Sequence, residues 1–318
     1  MPIIDMPLDQ LRAYRPAATR EPDFDAFWAE TLQSASRIPL EPQLQLEADL
    51  PLPGVRAYRA TYRSWDDALI SGRYLAPEGK GPFPAIVIYH GYSGGVHRMS
   101  NEIFLWPLMG YATLAIDVRG QGGLSTDGSV YPEGHITGWM TQGISDPKRH
   151  YYRGVFVDCV RALDFVCQQP GVDARRIGVT GVSQGGGLTL AAAGLDPRPA
   201  AAFSEVPFLC HYRRAVDVSN ARPYTEIGDY IRYQPGTDDL VFRTLSYFDA
   251  MNLAGRIQCP TYVTVGLQDL ICPPSTVFAA YNALQVTKEI MVSTFGVHER
   301  FPGVVEKQIR WMHTYLKG

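Results

Sequence analysis

A chain of 318 residues, 46% of them hydrophobic and 19% charged, is long enough to bury a large core and has an ordinary globular composition. Its net charge of −3 gives no electrostatic basis for binding nucleic acid or an anionic membrane, and we expect neither as a partner. No apolar run approaches the roughly eighteen residues that cross a bilayer. The first residues, MPIIDMPLDQ, lack the pattern of a secretory signal, and the five cysteines include no C-x-x-C pair. We therefore expect a cytoplasmic protein with reduced thiols.

Strands and helices are predicted to alternate along most of the chain. Helical spacing of apolar residues predicts a helix over 23–36, and two β-like segments follow it. The predicted strands lie at 55–64, 68–77, 84–91, 111–120, 176–180, 200–206, 261–266 and 288–293. The later predicted helices lie at 151–169, 185–195, 274–284 and 304–317. This alternation predicts an α/β fold, in which a mostly parallel sheet carries helices on both faces within one domain over 1–318.

Residues 207–255 break the alternation, because they contain no clear buried strand. We interpret them as an insertion of helices and loops over the carboxyl edge of the sheet, where ligands bind in such folds. A separate domain fits less well, since the strand pattern resumes directly afterwards at 261.

A serine stands between two glycines in Gly181-Val182-Ser183-Gln184-Gly185, at the junction of a predicted strand and a predicted helix. This is the G-x-S-x-G pattern of a nucleophile on a strained turn, the arrangement typical of α/β-hydrolases. Glycines on either side remove the β-carbons that would collide in so sharp a bend. A glycine-rich turn without catalytic function is the alternative, but the strand before the motif and the helix after it favour the nucleophile.

A serine nucleophile needs a histidine base and a carboxylate that orients the base. In this fold the three follow in the order serine, acid, histidine, so His298 and His313 are the candidates for the base. His313 lies in the last predicted helix, whereas His298 lies in a loop between the last strand and that helix and is the predicted base. Asp269, in the loop after the 261–266 strand, is the predicted acid, and Asp249 is the second choice.

The oxyanion of an acyl-transfer intermediate is usually held by two backbone N–H groups. The residue after the nucleophile, Gln184, is predicted to supply one. The loop IYHGYSGG after an earlier strand is predicted to supply the other from Tyr92, with His90 shaping the turn. Tyr92 and Pro207 are also predicted to contact the substrate.

Metal and nucleotide sites are not predicted. His298-Glu299 lacks the second histidine of H-E-x-x-H, and no cysteines and histidines stand at ligand spacing. No P-loop or dinucleotide-binding fingerprint stands in a suitable place, so we expect no cofactor.

The chain resembles carbohydrate esterase family seven, the acetyl xylan esterases and cephalosporin C deacetylases. The resemblance rests on Arg119-Gly120-Gln121, the Ser183 motif and His298-Glu299, and it extends in matching order over nearly the whole chain. It implies an α/β-hydrolase fold, a triad of Ser183, Asp269 and His298, and oxyanion donors at Tyr92 and Gln184. It also implies a hexamer, and removal of acetyl groups from small acetylated sugars and cephalosporins, with perhydrolysis as a side activity. Arg119 and Gln121 are expected to brace the catalytic loops.

The predicted function is therefore that of a serine esterase acting on small acetylated carbohydrates and cephalosporin C. A serine peptidase and a general short-chain carboxylesterase of the same fold are the enzymatic alternatives. Such a peptidase usually carries a large additional domain, for which we expect no room here. A non-catalytic binding module is disfavoured, because it has no need of serine, acid and base in register.

Overall fold

One nine-stranded sheet runs through the part of the chain that the computed structural model describes, residues 4–99 and 102–317. Its strands are β1 (Gln43–Leu46), β2 (Val55–Arg63), β3 (Leu69–Pro77), β4 (Phe83–Tyr89), β5 (Ala112–Ile116), β6 (Val172–Val182), β7 (Pro199–Glu205), β8 (Thr261–Gly266) and β9 (Lys288–Ser293). Their order across the sheet is β1-β2-β3-β5-β4-β6-β7-β8-β9. β1 pairs with β2, β2 with β3 and β3 with β5 in antiparallel orientation. The other five pairings, from β5–β4 across to β8–β9, are parallel.

Helices cover both faces of this sheet. They are α1 (Leu8–Ala13), α2 (Phe24–Ser36), α3 (Glu102–Leu108), α4 (Tyr151–Cys167), α5 (Gln184–Leu195), α6 (Tyr212–Val218), α7 (Tyr224–Tyr233), α8 (Asp238–Ser246), α9 (Ala250–Ala254), α10 (Pro274–Ala283) and α11 (Val304–Leu316). On one face, Trp106 of α3 and Met312 of α11 pack with Ile86 and Ile88 of β4. The other face carries the larger core, to which α2, α4, α5 and α10 contribute. The predicted mostly parallel sheet with helices on both faces is confirmed.

The two central strands β4 and β6 determine where the candidate site lies. Ala85 to Tyr89 of β4 are fully buried, as a parallel strand covered on both faces must be. β4 lies between β5 and β6, and the carboxyl ends of β4 and β6 meet where Tyr89 is paired with Gly181. The loops that follow these strands therefore emerge together.

Several local predictions differ from the structure. The strand expected over 111–120 ends at Ile116, because the Asp117 carboxylate accepts the N–H groups of Val96 at 2.6 Å and Leu124 at 2.8 Å and starts a turn. β1, α1 and α3 were not predicted, since they have only four, six and seven residues and are too short to show a clear periodicity. The 207–255 segment holds α6 to α9 between β7 and β8.

Among the described residues, no helix is both long enough and apolar enough to cross a membrane.

Candidate active site

Ser183 lies at the turn between β6 and α5, in a backbone conformation that residues with a side chain rarely adopt. Its φ is 61° and its ψ is −118°, a strain that costs about 1–3 kcal/mol and persists only where the surroundings enforce it. A β-carbon on either Gly181 or Gly185 would collide with the Tyr89 carbonyl oxygen at the end of β4. The motif's glycines therefore let the turn pack directly on the neighbouring strand, with the serine hydroxyl standing above it.

The structure brings Ser183, His298 and Asp269 together in one hydrogen-bonded row. His298 Nε2 lies 2.9 Å from Ser183 Oγ, and His298 Nδ1 lies 2.8 Å from Asp269 Oδ2. Because a carboxylate only accepts hydrogen bonds, Nδ1 carries the ring hydrogen and Nε2 is left to accept the serine hydrogen. Asp269 is 1% exposed and the His298 side chain 20% exposed, so the base faces solvent while its partner does not.

Two adjacent parallel strands, β8 and β9, place the acid and the base. The loop after β8 donates Leu267 N–H to Ser293 O and Gln268 N–H to Gly296 O, both at 2.9 Å, which ties it to the His298 loop. The other oxygen of Asp269 accepts the N–H groups of Ile271 and Cys272 at 2.8 and 2.9 Å. These bonds fix the carboxylate so that only one oxygen faces the imidazole.

Asp249 and His313, the other candidates for acid and base, lie elsewhere. Asp249 is buried and caps α9, accepting the N–H groups of His211, Tyr212 and Met251. Burial raises the pKa of Asp249 to about 6. His313 is exposed on α11. The structure therefore brings Asp269 to His298, and it does not bring Asp249 there.

The expected oxyanion donors lie on either side of Ser183. Gln184 opens α5, where the first N–H groups of a helix have no intrahelical partner. Within residues 4–99 and 102–317, the N–H groups of Tyr92 and Gln184 donate to no protein acceptor. The chain of the Tyr92 loop is close to the nucleophile, because a β-carbon on Gly91 would lie 3.9 Å from Ser183 Cβ. Two unused donors are thus available beside the hydroxyl.

The side chain of Tyr92 is anchored to the insertion. Its hydroxyl donates to Glu226 Oε2 at 2.9 Å and accepts from Trp139 N–H at 2.7 Å. Its ring packs edge-on against Trp139 and Phe208, with centroids 5.2 and 6.1 Å away. Burial raises the pKa of Glu226 to about 7, against the opposing hydrogen bond from Tyr92. The ring is thus fixed at its far end by contacts with Glu226 and Trp139.

Pro207, the other expected substrate contact, is buried at the start of the insertion. The N–H of the next residue, Phe208, donates to the carbonyl oxygen of Ser183 at 2.9 Å. Pro207 is therefore held against the nucleophile turn.

Arg119, Gln121 and His90 connect the loops around the site. Arg119 is fully buried and bidentate with Asp158 of α4, at 2.6 and 2.7 Å. The side-chain amides of Gln121 and Gln184 donate hydrogen bonds to each other, at 2.9 and 3.1 Å. His90 Nε2 accepts Val118 N–H at 2.8 Å, while Nδ1 lies 2.7 Å from Gly91 O. Burial lowers the pKa of His90, which suits this neutral, bridging form.

An ion pair connects the nucleophile turn to the base loop. Arg300, two residues after His298, donates to Glu205 at 2.7 Å and lies 2.6 Å from Glu102. Glu205 is 2% exposed, and its carbonyl oxygen accepts Ser183 N–H at 2.9 Å. Burial raises the pKa of Glu205 to about 7, although Arg300 opposes the rise.

Two cavities border these residues. One of about 280 Å³ lies beside the oxyanion loop, with Gly91, Tyr92 and Val182 in its wall and Arg98 at its edge. A larger one of about 510 Å³ lies between α3 and α11 and meets the loop of the base at Arg300. The smaller cavity is walled by the oxyanion loop and by Val182, the residue before the nucleophile, and is the better candidate for a substrate.

Sequence reasoning missed Glu226, Glu205, Arg300 and Cys272. Cys272 follows Asp269 by three residues, so its position in the acid's loop was visible in the sequence. The structure brings ligand atoms of Asp269, Cys272 and His298 within 4.8 Å of one another, a grouping that spacing along the chain did not indicate. The other three residues depend on packing between distant segments.

Comparison with known proteins identifies close relatives. The family model for acetyl xylan esterase (AXE1) matches residues 1–315. An acetyl xylan esterase from Paenibacillus sp. R4 is 48% identical and superimposes with a TM-score of 0.95, covering 98% of this chain and 100% of that one. Acetyl xylan esterase 1 from Thermoanaerobacterium sp. JW/SL YS485 is 35% identical, with a TM-score of 0.93, over 98% of this chain and 99% of that one. The acetyl esterase Axe7A of Xylanibacter ruminicola is 27% identical over 308 residues, 95% of this chain and 69% of that protein.

Proposed function

Because this chain belongs to the acetyl xylan esterase (AXE1) family and is an acetyl esterase, a carboxylic ester hydrolase, we propose that it deacetylates small xylo-oligosaccharides and cephalosporin C through an acyl-enzyme on Ser183. The observation that carries the mechanism is the row formed by Ser183 Oγ, the His298 imidazole and the Asp269 carboxylate, with contacts of 2.9 and 2.8 Å.

In the proposed reaction, His298 Nε2 takes the hydroxyl proton as Ser183 Oγ attacks the acetyl carbonyl carbon. Asp269 keeps the imidazole in the required tautomer and stabilises the imidazolium that forms. The N–H groups of Tyr92 and Gln184 hold the oxyanion, each worth about 2.7–4 kcal/mol in comparable hydrolases. His298 then protonates the departing sugar oxygen, and water, activated by the same nitrogen, releases acetate and restores the serine.

The same acyl-enzyme is the basis of a proposed perhydrolase side reaction. Hydrogen peroxide replaces water as the attacking nucleophile, and the product is peracetic acid instead of acetate. The measurement is peracetic acid formed by the wild-type enzyme from an acetyl ester and peroxide, with Ser183→Ala as the blank.

The experiment that tests the main proposal is acetate release from acetylated xylobiose and from cephalosporin C. Wild type and the matched control Ser36→Ala, an exposed serine of α2, should release acetate, and Ser183→Ala should not. Release of longer acyl groups without release of acetate would indicate a general short-chain carboxylesterase. Cleavage of a peptide anilide with negligible acetate release would indicate a peptidase.

We further propose a homo-hexamer in which copies of the chain cover the active-site face. Large apolar side chains stand exposed on the loops around the triad: Leu270, Phe295 and Val297 are 45%, 68% and 48% exposed. Exposed apolar groups clustered in this way are typical of protein interfaces. Light scattering of the purified protein measures the state, and a monomer at micromolar concentration would contradict the proposal.

A reducing, cytoplasmic location is also proposed. Its support is that all five cysteines are free, four of them buried. Fractionation of the source cells, with the enzyme detected by an antibody, tests the location.

A further inference from the structure

Cys272 is a buried thiol beside the triad that has no part in the proposed hydrolysis. It lies in the turn that carries the acid, and its N–H donates to Asp269 Oδ1 at 2.9 Å. The residue is 0% exposed, and it forms no disulfide. The acyl-enzyme reaction needs a nucleophile, a base, an orienting carboxylate and an oxyanion hole, and the Cys272 thiol is none of these.

The thiol, the imidazole and the carboxylate together resemble a set of metal ligands. One ligand atom each of Asp269, Cys272 and His298 lies within 4.8 Å of the others. Around tetrahedral Zn²⁺, with bonds of about 2.0–2.3 Å, ligand atoms stand about 3.3–3.8 Å apart. Movements of about 1 Å therefore bring the three atoms to a common centre.

We propose that Asp269, Cys272 and His298 form an inhibitory site for a thiophilic divalent cation, Zn²⁺ or Cd²⁺. A thiolate and an imidazole select such cations over Mg²⁺ and Ca²⁺, which prefer oxygen ligands. Of the three ligands, His298 is the one that faces solvent, with its side chain 20% exposed. The fourth position is left for water or the Ser183 hydroxyl.

The cation stops hydrolysis because it takes the base. On binding, the Cys272 thiol gives one proton to solvent and its sulfur bonds to the metal, with no change of oxidation state. Coordination through His298 Nε2 occupies the lone pair that would receive the serine proton. Coordination through Nδ1 moves the ring proton to Nε2, which then donates and no longer accepts. Either geometry leaves Ser183 without a base, so this inference rests on the proposed function of His298.

The first test measures inhibition of acetate release by Zn²⁺ in chelator-free buffer. We compare wild type, Cys272→Ser and the matched control Cys167→Ser, which removes a more accessible thiol on α4. The half-inhibitory Zn²⁺ concentration, measured against each variant's own rate, should rise at least tenfold in Cys272→Ser and stay unchanged in Cys167→Ser. EDTA should restore the wild-type rate. Equal inhibition of wild type and Cys272→Ser would overturn the proposal, as would relief by Cys167→Ser.

A second readout does not depend on activity. Titration of wild type with Cd²⁺ should produce the ultraviolet charge-transfer band of a Cd²⁺–thiolate bond, and Cys272→Ser should lose it. If Cys272→Ser does not fold, His298→Ala keeps the thiol and should weaken Cd²⁺ binding at least tenfold. A band that persists in Cys272→Ser, or binding unchanged in His298→Ala, would overturn the site. A band in an enzyme that releases no acetate would support the site while the proposed function fails.

Discussion

The hydroxyl of Tyr92 donates to Glu226 across 2.9 Å, which joins the oxyanion loop to helix α7 of the insertion. The same hydroxyl accepts Trp139 N–H, and Glu226 also accepts Met140 N–H at 3.3 Å. The backbone N–H expected to hold the oxyanion belongs to Tyr92 itself. Helix α7 thus contributes to the position of the loop that carries this proposed donor.

Replacing Tyr92 by Phe should lower both activity and stability. The variant keeps the backbone N–H but leaves the Glu226 carboxylate and Trp139 N–H without their shared partner, a cost of about 1–3 kcal/mol. We expect kcat for acetate release to fall roughly tenfold, which corresponds to about 1.4 kcal/mol of misplaced oxyanion donor. Tyr233→Phe is the matched control, since that tyrosine is 68% exposed at the end of α7. A Tyr92→Phe enzyme with unchanged kcat would show that the hydroxyl does not position the loop.

Glu226 should make the stability of the enzyme depend on pH. Burial raises its pKa from 4.5 to about 7, while the Tyr92 hydroxyl, Met140 N–H and Arg222 oppose the rise. The folded state therefore binds the proton more tightly than the unfolded state. Its contribution to stability is complete below pH 4.5 and is lost as pH rises through about 7.

Glu226→Gln removes this dependence and keeps an oxygen that accepts from Tyr92. Urea denaturation at pH 5 and pH 8 should show wild type losing more free energy of unfolding than the variant between the two values. Glu205 and Asp249, whose pKa values are also raised by burial, are present in both proteins and cancel in the comparison. Parallel losses in the two proteins would count against a buried, titrating Glu226.

The triad was accessible from the sequence because each member has a local signal. Ser183 stands in a glycine pattern at a strand–helix junction, and Asp269 and His298 occupy the loops after consecutive strands. The order of the three along the chain left His298 and His313 as candidates for the base, and the position of His313 in the last predicted helix favoured His298. Local pattern was sufficient here because the carboxyl ends of neighbouring parallel strands meet at one edge of the sheet.

The supporting contacts were not accessible in the same way. Glu226 lies 134 residues from Tyr92 in the chain, and Arg300 lies 95 residues from Glu205. Such pairs are fixed by how the insertion and the last helix pack, which no local pattern encodes. β1 was missed for a different reason. All four of its residues are exposed, so its sequence lacks the alternation of buried and exposed residues by which a strand is recognised.

Asp269→Asn should disable the base without disturbing the fold. An asparagine amide that donates to Nδ1 favours the tautomer with hydrogen on Nε2, which cannot accept the serine proton, and kcat should fall by about 10⁴. Asp249→Asn is the informative control, because Asp249 caps α9 and accepts three backbone N–H groups. That variant keeps the cap through Oδ1 but leaves Tyr212 N–H without an acceptor, so it should lose about 1–3 kcal/mol of stability and retain most of its kcat. The reverse result, with activity lost in Asp249→Asn alone, would identify Asp249 as the orienting acid.

Arg300→Met should destabilise the enzyme more at pH 8 than at pH 5. The substitution keeps an apolar stem but leaves the Glu205 carboxylate, 2% exposed, without its cation. Breaking a buried pair costs about 3 kcal/mol when the remaining group is charged. The pKa of Glu205 is already about 7 with Arg300 present and rises further without it. At pH 5 the carboxyl is therefore protonated in the variant, and the penalty is smaller.

The same substitution should lower kcat. Arg300 follows His298 by two residues and joins the loop of the base to Glu205 at the end of β7. The carbonyl oxygen of Glu205 accepts Ser183 N–H, so this contact helps to hold base and nucleophile in register. Adding Glu205→Gln to Arg300→Met should recover most of the stability at pH 8, since the carboxylate that then remains without Arg300 is that of Glu102, which is 26% exposed. It should not recover the kcat, since the loop of His298 stays unconnected to β7. Arg310→Met, at an exposed position on α11, is the matched control and should behave as wild type. Equal destabilisation of Arg300→Met at both pH values would mean that lost packing, and not the buried charge of Glu205, is the cause.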